Sequence, residues 1–460
     1  MRTTLFLLLA YLIAVAAMGF FFRRRAGRDE ASYFVADRSL SAFWGFLGLA
    51  SLTTGGSTTI ALAAFVYAHG LSGLWLDLAG ALGLLALGLL LAGRVRKEGA
   101  VTLPEIVGRY YGPAARRVAA LLVLVSEIVW FALLIEATQV VLSAAFGLEP
   151  VAAIIGSTAA FVLYTTLGGQ FAVVRTDGLK YGLMVLGIPG LAFAFALARS
   201  GRFAGLPSEA LAFPTAPSLP AADVVSLLLL IGLPHLVGSD VYAKLLSCRD
   251  ERAARRSALG AALSKTLFGG AVAVIALAAR AALPPGPAIE TLPRAVLAFV
   301  PAPLASFVLV CLVATMHSSA DAVLLSASAV TVRDIVPAWP RRLPPVAAAR
   351  ALTPAYAALG LTLALAMNRD VLETLKLGYS VFAAGLILPV LAALLAPGAV
   401  PTAGAIAAML AGGAIAAVGR FLPAAVAGAD PVLAGTAGNL SVLAAAWILR
   451  RFRRPGPVPA

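Results

Sequence analysis

Runs of about twenty apolar residues recur from one end of this chain to the other, and each is long enough to cross the hydrocarbon of a bilayer as a helix. In lipid the backbone must satisfy its own hydrogen bonds, so only helices or closed barrels can span. Only 12% of the 460 residues are charged and 61% are hydrophobic, where a soluble domain would carry about 25% charged residues. The expected fold class is an all-α polytopic membrane protein. Thirteen spans are expected, at about 3–22, 43–68, 72–93, 117–147, 150–168, 178–198, 222–239, 258–283, 298–330, 349–367, 374–396, 402–421 and 432–449.

The net charge of +14 does not call for nucleic acid, because the basic residues fall in short loops between apolar runs, where membrane topology places them. The first run is followed at once by Arg23, Arg24 and Arg25, which reads as a retained span with a stop-transfer flank. With the N-terminus outside, the segments Arg23–Arg38, Arg94–Arg117, Arg175, Lys244–Arg256, Arg333–Arg350 and Arg450–Arg454 fall on the cytoplasmic side, as does the C-terminus. Lys180 and Lys265 are counted there too, near inner helix ends. An inner or plasma membrane is the expected location. Cys248 and Cys311 make no disulfide framework, and His69, His235 and His317 are too scattered for a catalytic metal centre. No nucleophile, base and orienting group recur at a usable spacing, so an enzyme is not expected.

The second span, LGLASLTTGGSTTIAL at 47–62, is interrupted at its centre by threonines, glycines and a serine. Irregular backbone at bilayer depth is tolerated only beside protein or a water-filled cavity. Freed carbonyls of Thr54 and Ser57, with the small volume of Gly55 and Gly56, offer oxygen ligands and room for a small solute. The same glycines also suit close helix packing, which leaves two readings of the stretch. Five spans later, GLPHLVGS at 232–239 is again disrupted, by Gly232, Pro234 and Gly238. Interrupted spans at matching positions of two halves point to an inverted-repeat transporter with its site at the midplane. The halves are 43–198 and 222–396, five helices each, preceded by an extra helix and loop (1–42) and followed by two helices and a basic tail (397–460). Pro234 and His235 in the second break are candidate solute contacts.

In the ninth span, Thr315, Ser318 and Ser319 share one helical face and could meet the freed carbonyls. Neutral oxygens without a ligating carboxylate suit a singly charged hard cation, so sodium is the expected ion; the other reading is that these hydroxyls bond back to their helix or glue helices together. Asp321 continues that face, and Asp177 opens the sixth span. A carboxylate at bilayer depth faces a cavity or a partner, and both are expected to line an inward exit for the ion. Lys180 has two readings: a lysine snorkelling at the inner boundary, pairing with Asp177, or one that reaches the ion cavity and replaces a cation or carries a proton. Glu127 and Glu136 lie nine residues apart on one helix, hence on opposite faces and roughly 13 Å apart along the axis. One of them contacts a solute, and spacing alone does not choose. Trp130 at this spacing suits packing, and His317, off the Ser318 face, suits a satisfied core position.

Several strings resemble the sodium:solute symporter family, which is built on the leucine-transporter fold. SYFVADRSL at 32–40, VTLPEIVGRYYG at 101–112, GGQFAVVRTDGLK at 168–180, VYAKLLSCRDERAARRSA at 241–258 and SSADAVLLSAS at 318–328 carry the likeness. The resemblance implies a sodium site made by backbone carbonyls of Thr54 and Ser57, the carbonyl of Thr315 and the hydroxyls of Ser318 and Ser319. It matches Asp177 to an acidic residue on the cytoplasmic ion path. Lys180 stands where many members have glutamine, Asp321 and Ala322 where a two-sodium member offers hydroxyls, and Gly56 where several have a polar side chain. The resemblance therefore implies sodium-coupled symport of a small organic solute by a functional monomer in the lipid bilayer. A proton-coupled carrier using Lys180, Asp177 or Asp321, and a solute sensor without transport, are the alternatives.

Overall fold

The computed structural model describes residues 2–199, 203, 205–336, 344–367, 371–422, 426 and 428–452. Arg341, Arg342, Arg453 and Arg454 of the basic-loop reading lie outside the described residues, as do the side chains of Arg24 and Arg25.

Among the described residues the chain is helical, with isolated bridges and no strand. Eleven helical segments are long and apolar enough to cross a membrane, and two shorter apolar helices, Ala42–Thr54 and Pro150–Ala159, stand beside them. The expected thirteen spans differ from this count where the backbone breaks or bends. The second expected span is two helices, α3 (Ala42–Thr54) and α4 (Ser57–His69). The fifth and sixth are joined in one bent helix (Pro150–Val185) rather than by a loop. The bend falls at Gly169, whose φ of 54° is a left-handed value that glycine adopts at little cost. A Cβ there would come within 2.7 Å of the Tyr33 ring.

One helix lies at the centre. The helix Ala302–Val330 has every position of its apolar window buried, whereas the first helix, Arg2–Ala26, has 17% of its window buried. The central helix carries Thr315, His317, Ser318, Ser319, Asp321 and Ser326, polar groups that lipid cannot satisfy, and it packs against α3, the long helix Leu103–Phe146, the bent helix and the first helix. The second half of the chain breaks as the first does. Helices Leu233–Leu236 and Ser239–Leu246 are separated by Val237 (φ −136°, ψ 66°) and Gly238 (φ −101°, ψ 140°). At Gly232 and Pro234 the expected disruption takes the form of a π-helical stretch, Leu228–Gly232, inside helix that continues from Ala221 to Leu236; such a wider turn is one way a helix accommodates a proline's missing N–H. Asp250 caps the following helix, Glu251–Ala282, by accepting from Ala253 N–H at 2.7 Å. That bond holds its carboxyl below the usual range.

Candidate functional site

A helix leaves its last four carbonyls without intrahelical partners, and at the end of α3 these belong to Ser51, Leu52, Thr53 and Thr54. Each finds a side-chain donor. Ser318 Oγ donates to Ser51 O (2.9 Å) and Ser319 Oγ to Leu52 O (3.1 Å), both from the central helix. Lys265 Nζ donates to Thr53 O (2.6 Å), and Thr59 Oγ1 donates to Thr54 O (2.8 Å) across the break. The gap is thus a set of oxygens held in register by three other segments.

The break itself is Gly55 and Gly56. Gly56 has φ 67°, and a Cβ on it would meet Leu134 at 2.7 Å and Ser319 Oγ at 3.0 Å. Gly55 is extended, but a Cβ there would fall 2.5 Å from Ser51 O, 2.8 Å from Thr315 O and 3.1 Å from Ser318 Oγ. Three oxygens therefore converge beside Gly55, where a side chain would collide with them. Thr315 O also accepts from Ser318 Oγ at 3.0 Å. Thr315, Ser318 and Ser319 are brought to the end of α3 as their spacing suggests. The carbonyls that meet the two serines are those of Ser51 and Leu52 rather than Thr54 and Ser57. Ser57 opens α4, where a carbonyl enters its own helix, and its buried hydroxyl has no hydrogen-bond partner. Gly55 and Gly56, considered above as solute contacts, pack against the central helix.

One turn along that helix the chemistry changes. Lys180 Nζ is ion-paired to Asp321, which also accepts from Thr165 Oγ1 at 2.7 Å, and stands 4.0 Å from Asp177. Asp177 is bonded at 2.7 Å by Lys244. All four side chains are buried. The snorkelling reading of Lys180 fails, because its ammonium turns inward to a carboxylate. Lys244, read above as part of a cytoplasmic basic loop, is likewise buried, and so is Lys265, which pairs with Asp77 at 2.6 Å. Charges removed from water persist only when paired, so these three lysines bear on the interior rather than on membrane orientation. Asp177 and Asp321 are each held in an ion pair here.

Beyond the break lies a cavity bounded by both broken helices. Thr53 and Thr58 line it from the first; Pro234, His235 and Asp240 line it from the second. Glu127 enters it from the long helix, with Trp130 and Tyr379 beside it, the two rings 4.5 Å apart edge to face. Ser326 Oγ donates to Glu127 Oε1 (2.6 Å) and bonds Ser239 Oγ (3.0 Å). Glu136 points elsewhere and accepts from Thr374 Oγ1 at 3.2 Å. Of the two glutamates, Glu127 is the one that lines this cavity. His235 Nδ1–H donates to Ile231 O at 2.8 Å, and His317 bonds the Tyr11 hydroxyl at 3.1 Å. Sequence reasoning passed over Ser51, Leu52, Lys244, Lys265, Asp77, Asp240 and Ser326. The one signal available for Lys265 and Asp77 was a charge inside an apolar run.

Comparison with known proteins follows the same lines. The family model described as the sodium:solute symporter family matches residues 33–412. The high-affinity choline transporter 1 of Caenorhabditis elegans is 27% identical over 35% of this chain and 28% of its own length, and the sodium/proline symporter of Escherichia coli is 28% identical over 39% and 37%. The chain thus spans about a third of the length of these curated relatives. Among solved structures, a sodium-coupled sialic acid symporter in a substrate-bound outward-open state superposes with a TM-score of 0.83, at 17% identity over 98% of each chain. Mhp1, a nucleobase-cation-symport-1 family transporter, superposes at 0.59 with 14% identity over 92% of this chain and 95% of its own. The shared architecture is the all-helical leucine-transporter-like fold.

Proposed function

We propose, from the premise that the chain belongs to the sodium:solute symporter family, that it is a secondary active transporter coupling sodium to the inward movement of a small organic solute. The observation that carries this reading is the point beside Gly55, where Ser51 O, Thr315 O and Ser318 Oγ converge. Sodium enters there with the carbonyls of Ser51, Leu52, Thr54 and Thr315 and the hydroxyls of Ser318 and Ser319 as its ligand set. A hydroxyl offers two lone pairs as well as its proton, so both serines can turn from donating to a carbonyl to accepting the ion. Neutral oxygens hold a monovalent cation without a net charge that would trap it.

Sodium bound at this point braces the end of α3 against the central helix, and the next residues, Thr53 and Thr58, line the solute cavity. Each ligand then favours the same arrangement of the broken helix, and the coupling is reciprocal. One charge crossing 100 mV gains about 2.3 kcal/mol, and about 1.4 kcal/mol is tenfold, so one sodium ion supports roughly forty-fold accumulation before its own gradient is counted. Lys180 already supplies the positive charge beside Asp321, which supports one sodium ion per cycle rather than two. The N-terminus lies outside and the C-terminus in the cytoplasm, on the distribution of the loop arginines, and the monomer is the working unit.

Reconstitution of the full chain in proteoliposomes tests the reading. Solutes that shift its melting temperature, drawn from a panel including proline, choline and a sialic acid, should accumulate under an inward sodium gradient and not under potassium. Accumulation that follows a pH gradient and ignores sodium would assign the proton-coupled alternative. Saturable binding with no accumulation would assign the sensor.

A further inference from the structure

Of the interior carboxylates, Glu136 accepts from Thr374 Oγ1 and Asp334 pairs with Arg116; the others, all buried except the half-buried Asp240, fall into two groups. Asp77, Asp177 and Asp321 each sit against a lysine, Lys265, Lys244 and Lys180 respectively. Glu127 and Asp240 face the cavity between the broken helices, and among the described residues no ion pair reaches either of them. Glu127 is 6% exposed, and its one named donor is the neutral hydroxyl of Ser326; Asp240 accepts from the Val241 backbone N–H at 2.8 Å. The charged and titratable groups near them are already engaged. Lys244 is held by Asp177, Lys265 by Asp77 and Thr53 O, and His235 gives its Nδ1 proton to Ile231 O.

Two carboxylates facing one small enclosure cannot both stay ionised without a counter-charge, and burying an unpaired charge is costly. The walls add a second, independent feature. Trp130, Tyr379 and Phe382 line the same cavity, and aromatic faces attract cations, more strongly when water is excluded. Phosphate, sulfate or carboxylate groups would meet like charge here.

We propose that the solute is a small organic cation, a protonated amine or a quaternary ammonium, whose positive group is held by Glu127 and Asp240 against Trp130 and Tyr379. The cavity lacks a cation of its own because the substrate brings it. This deepens the symport reading and rests on it for the transport step alone. A cationic solute moving with one sodium ion carries two charges inward, so the membrane potential contributes about forty-fold accumulation per charge per 100 mV.

The test uses the purified full chain and five probes: choline, butylamine, proline, glucose and acetate. Choline or butylamine should raise the melting temperature saturably in sodium chloride, while glucose and acetate leave it unchanged. Choline alone would assign a quaternary ammonium, butylamine alone a protonated amine. Glu127→Gln should weaken the cation at least tenfold, and Asp240→Asn should do the same. Glu127→Asp, which keeps the charge, should weaken it less and guards against a folding defect in the amide. A shift with glucose or acetate and none with either cation would overturn the proposal, as would cation affinity unchanged in Glu127→Gln and Asp240→Asn. Proteoliposomes separate this from the symport reading. Cation binding with sodium-independent uptake sinks coupling and keeps the cation site, whereas sodium-driven uptake of glucose with no cation response keeps coupling and sinks the cation site.

Discussion

Three residues separate Ser318 from Asp321 on the central helix, and the two ends of that turn stand in opposite electrostatic situations. Ser318 bonds the carbonyls of Ser51 and Thr315, neutral oxygens both, and the ammonium that reaches the end of α3, Lys265 on Thr53 O, is already paired with Asp77. Asp321 faces Lys180 and the Thr165 hydroxyl. Both ends are buried, so neither borrows solvation from bulk water. Where the chain supplies an ammonium, the charge is balanced before any ion arrives; where it supplies only oxygens, the cation has to come from outside. On the sodium reading proposed above, this omission is what sets the ion's site apart from a structural ion pair.

The largest expected effect is at the self-balanced end. Lys180→Met leaves Asp321 buried against a single hydroxyl and should cost about 3–5 kcal/mol, read as a lower melting temperature in detergent. Adding Asp321→Asn should recover most of that loss, because removing both charges is far cheaper than removing one. Sodium should stabilise Lys180→Met more than it stabilises the parent, since the vacated place again needs a cation. An unchanged melting temperature in Lys180→Met would erase the contrast between the two ends.

At the neutral end, Ser318→Ala together with Ser319→Ala removes two oxygen ligands. At about 1.4 kcal/mol each, the sodium concentration for half-maximal thermal stabilisation should rise roughly 100-fold. A full sodium response in this double variant would place the ion elsewhere. The smallest effect is expected from Gly56→Ala. Its φ of 67° with ψ −150° lies in a region almost confined to glycine and costs a side chain about 1–3 kcal/mol, and the methyl presses on Leu134 and Ser319. The melting temperature should fall by less than in Lys180→Met, and sodium affinity should fall by less than in the serine pair. A larger loss than either would mean that the geometry of the break, rather than its ligands, controls the site.

Much of the fold was legible because membrane helices announce themselves through continuous apolar runs and because Gly-Gly at their centre cannot be ordinary helix. The interruption at Gly55 and Gly56 and the shared face of Thr315, Ser318 and Ser319 were both read locally. The misreadings came from the same locality. Lys180, Lys244 and Lys265 were assigned by their distance from a predicted helix end, and Lys180 bonds Asp321, 141 residues away. The carbonyls that receive the serines were set at the break, one turn too late, because the orphan acceptors of a helix precede its end.

The sequence by itself determined that this chain lives in a membrane, that two of its helices are broken and that a polar stripe lies on a third, since these follow from residue type and from periods of a few residues. Only the tertiary structure decided which carboxylates have a lysine and which have none. That is settled by contacts such as Lys244 to Asp177, 67 residues apart, whose partners no local pattern names. In a medium that cannot screen charge, those long-range pairings separate the groups that hold the protein together from the groups left open to a ligand.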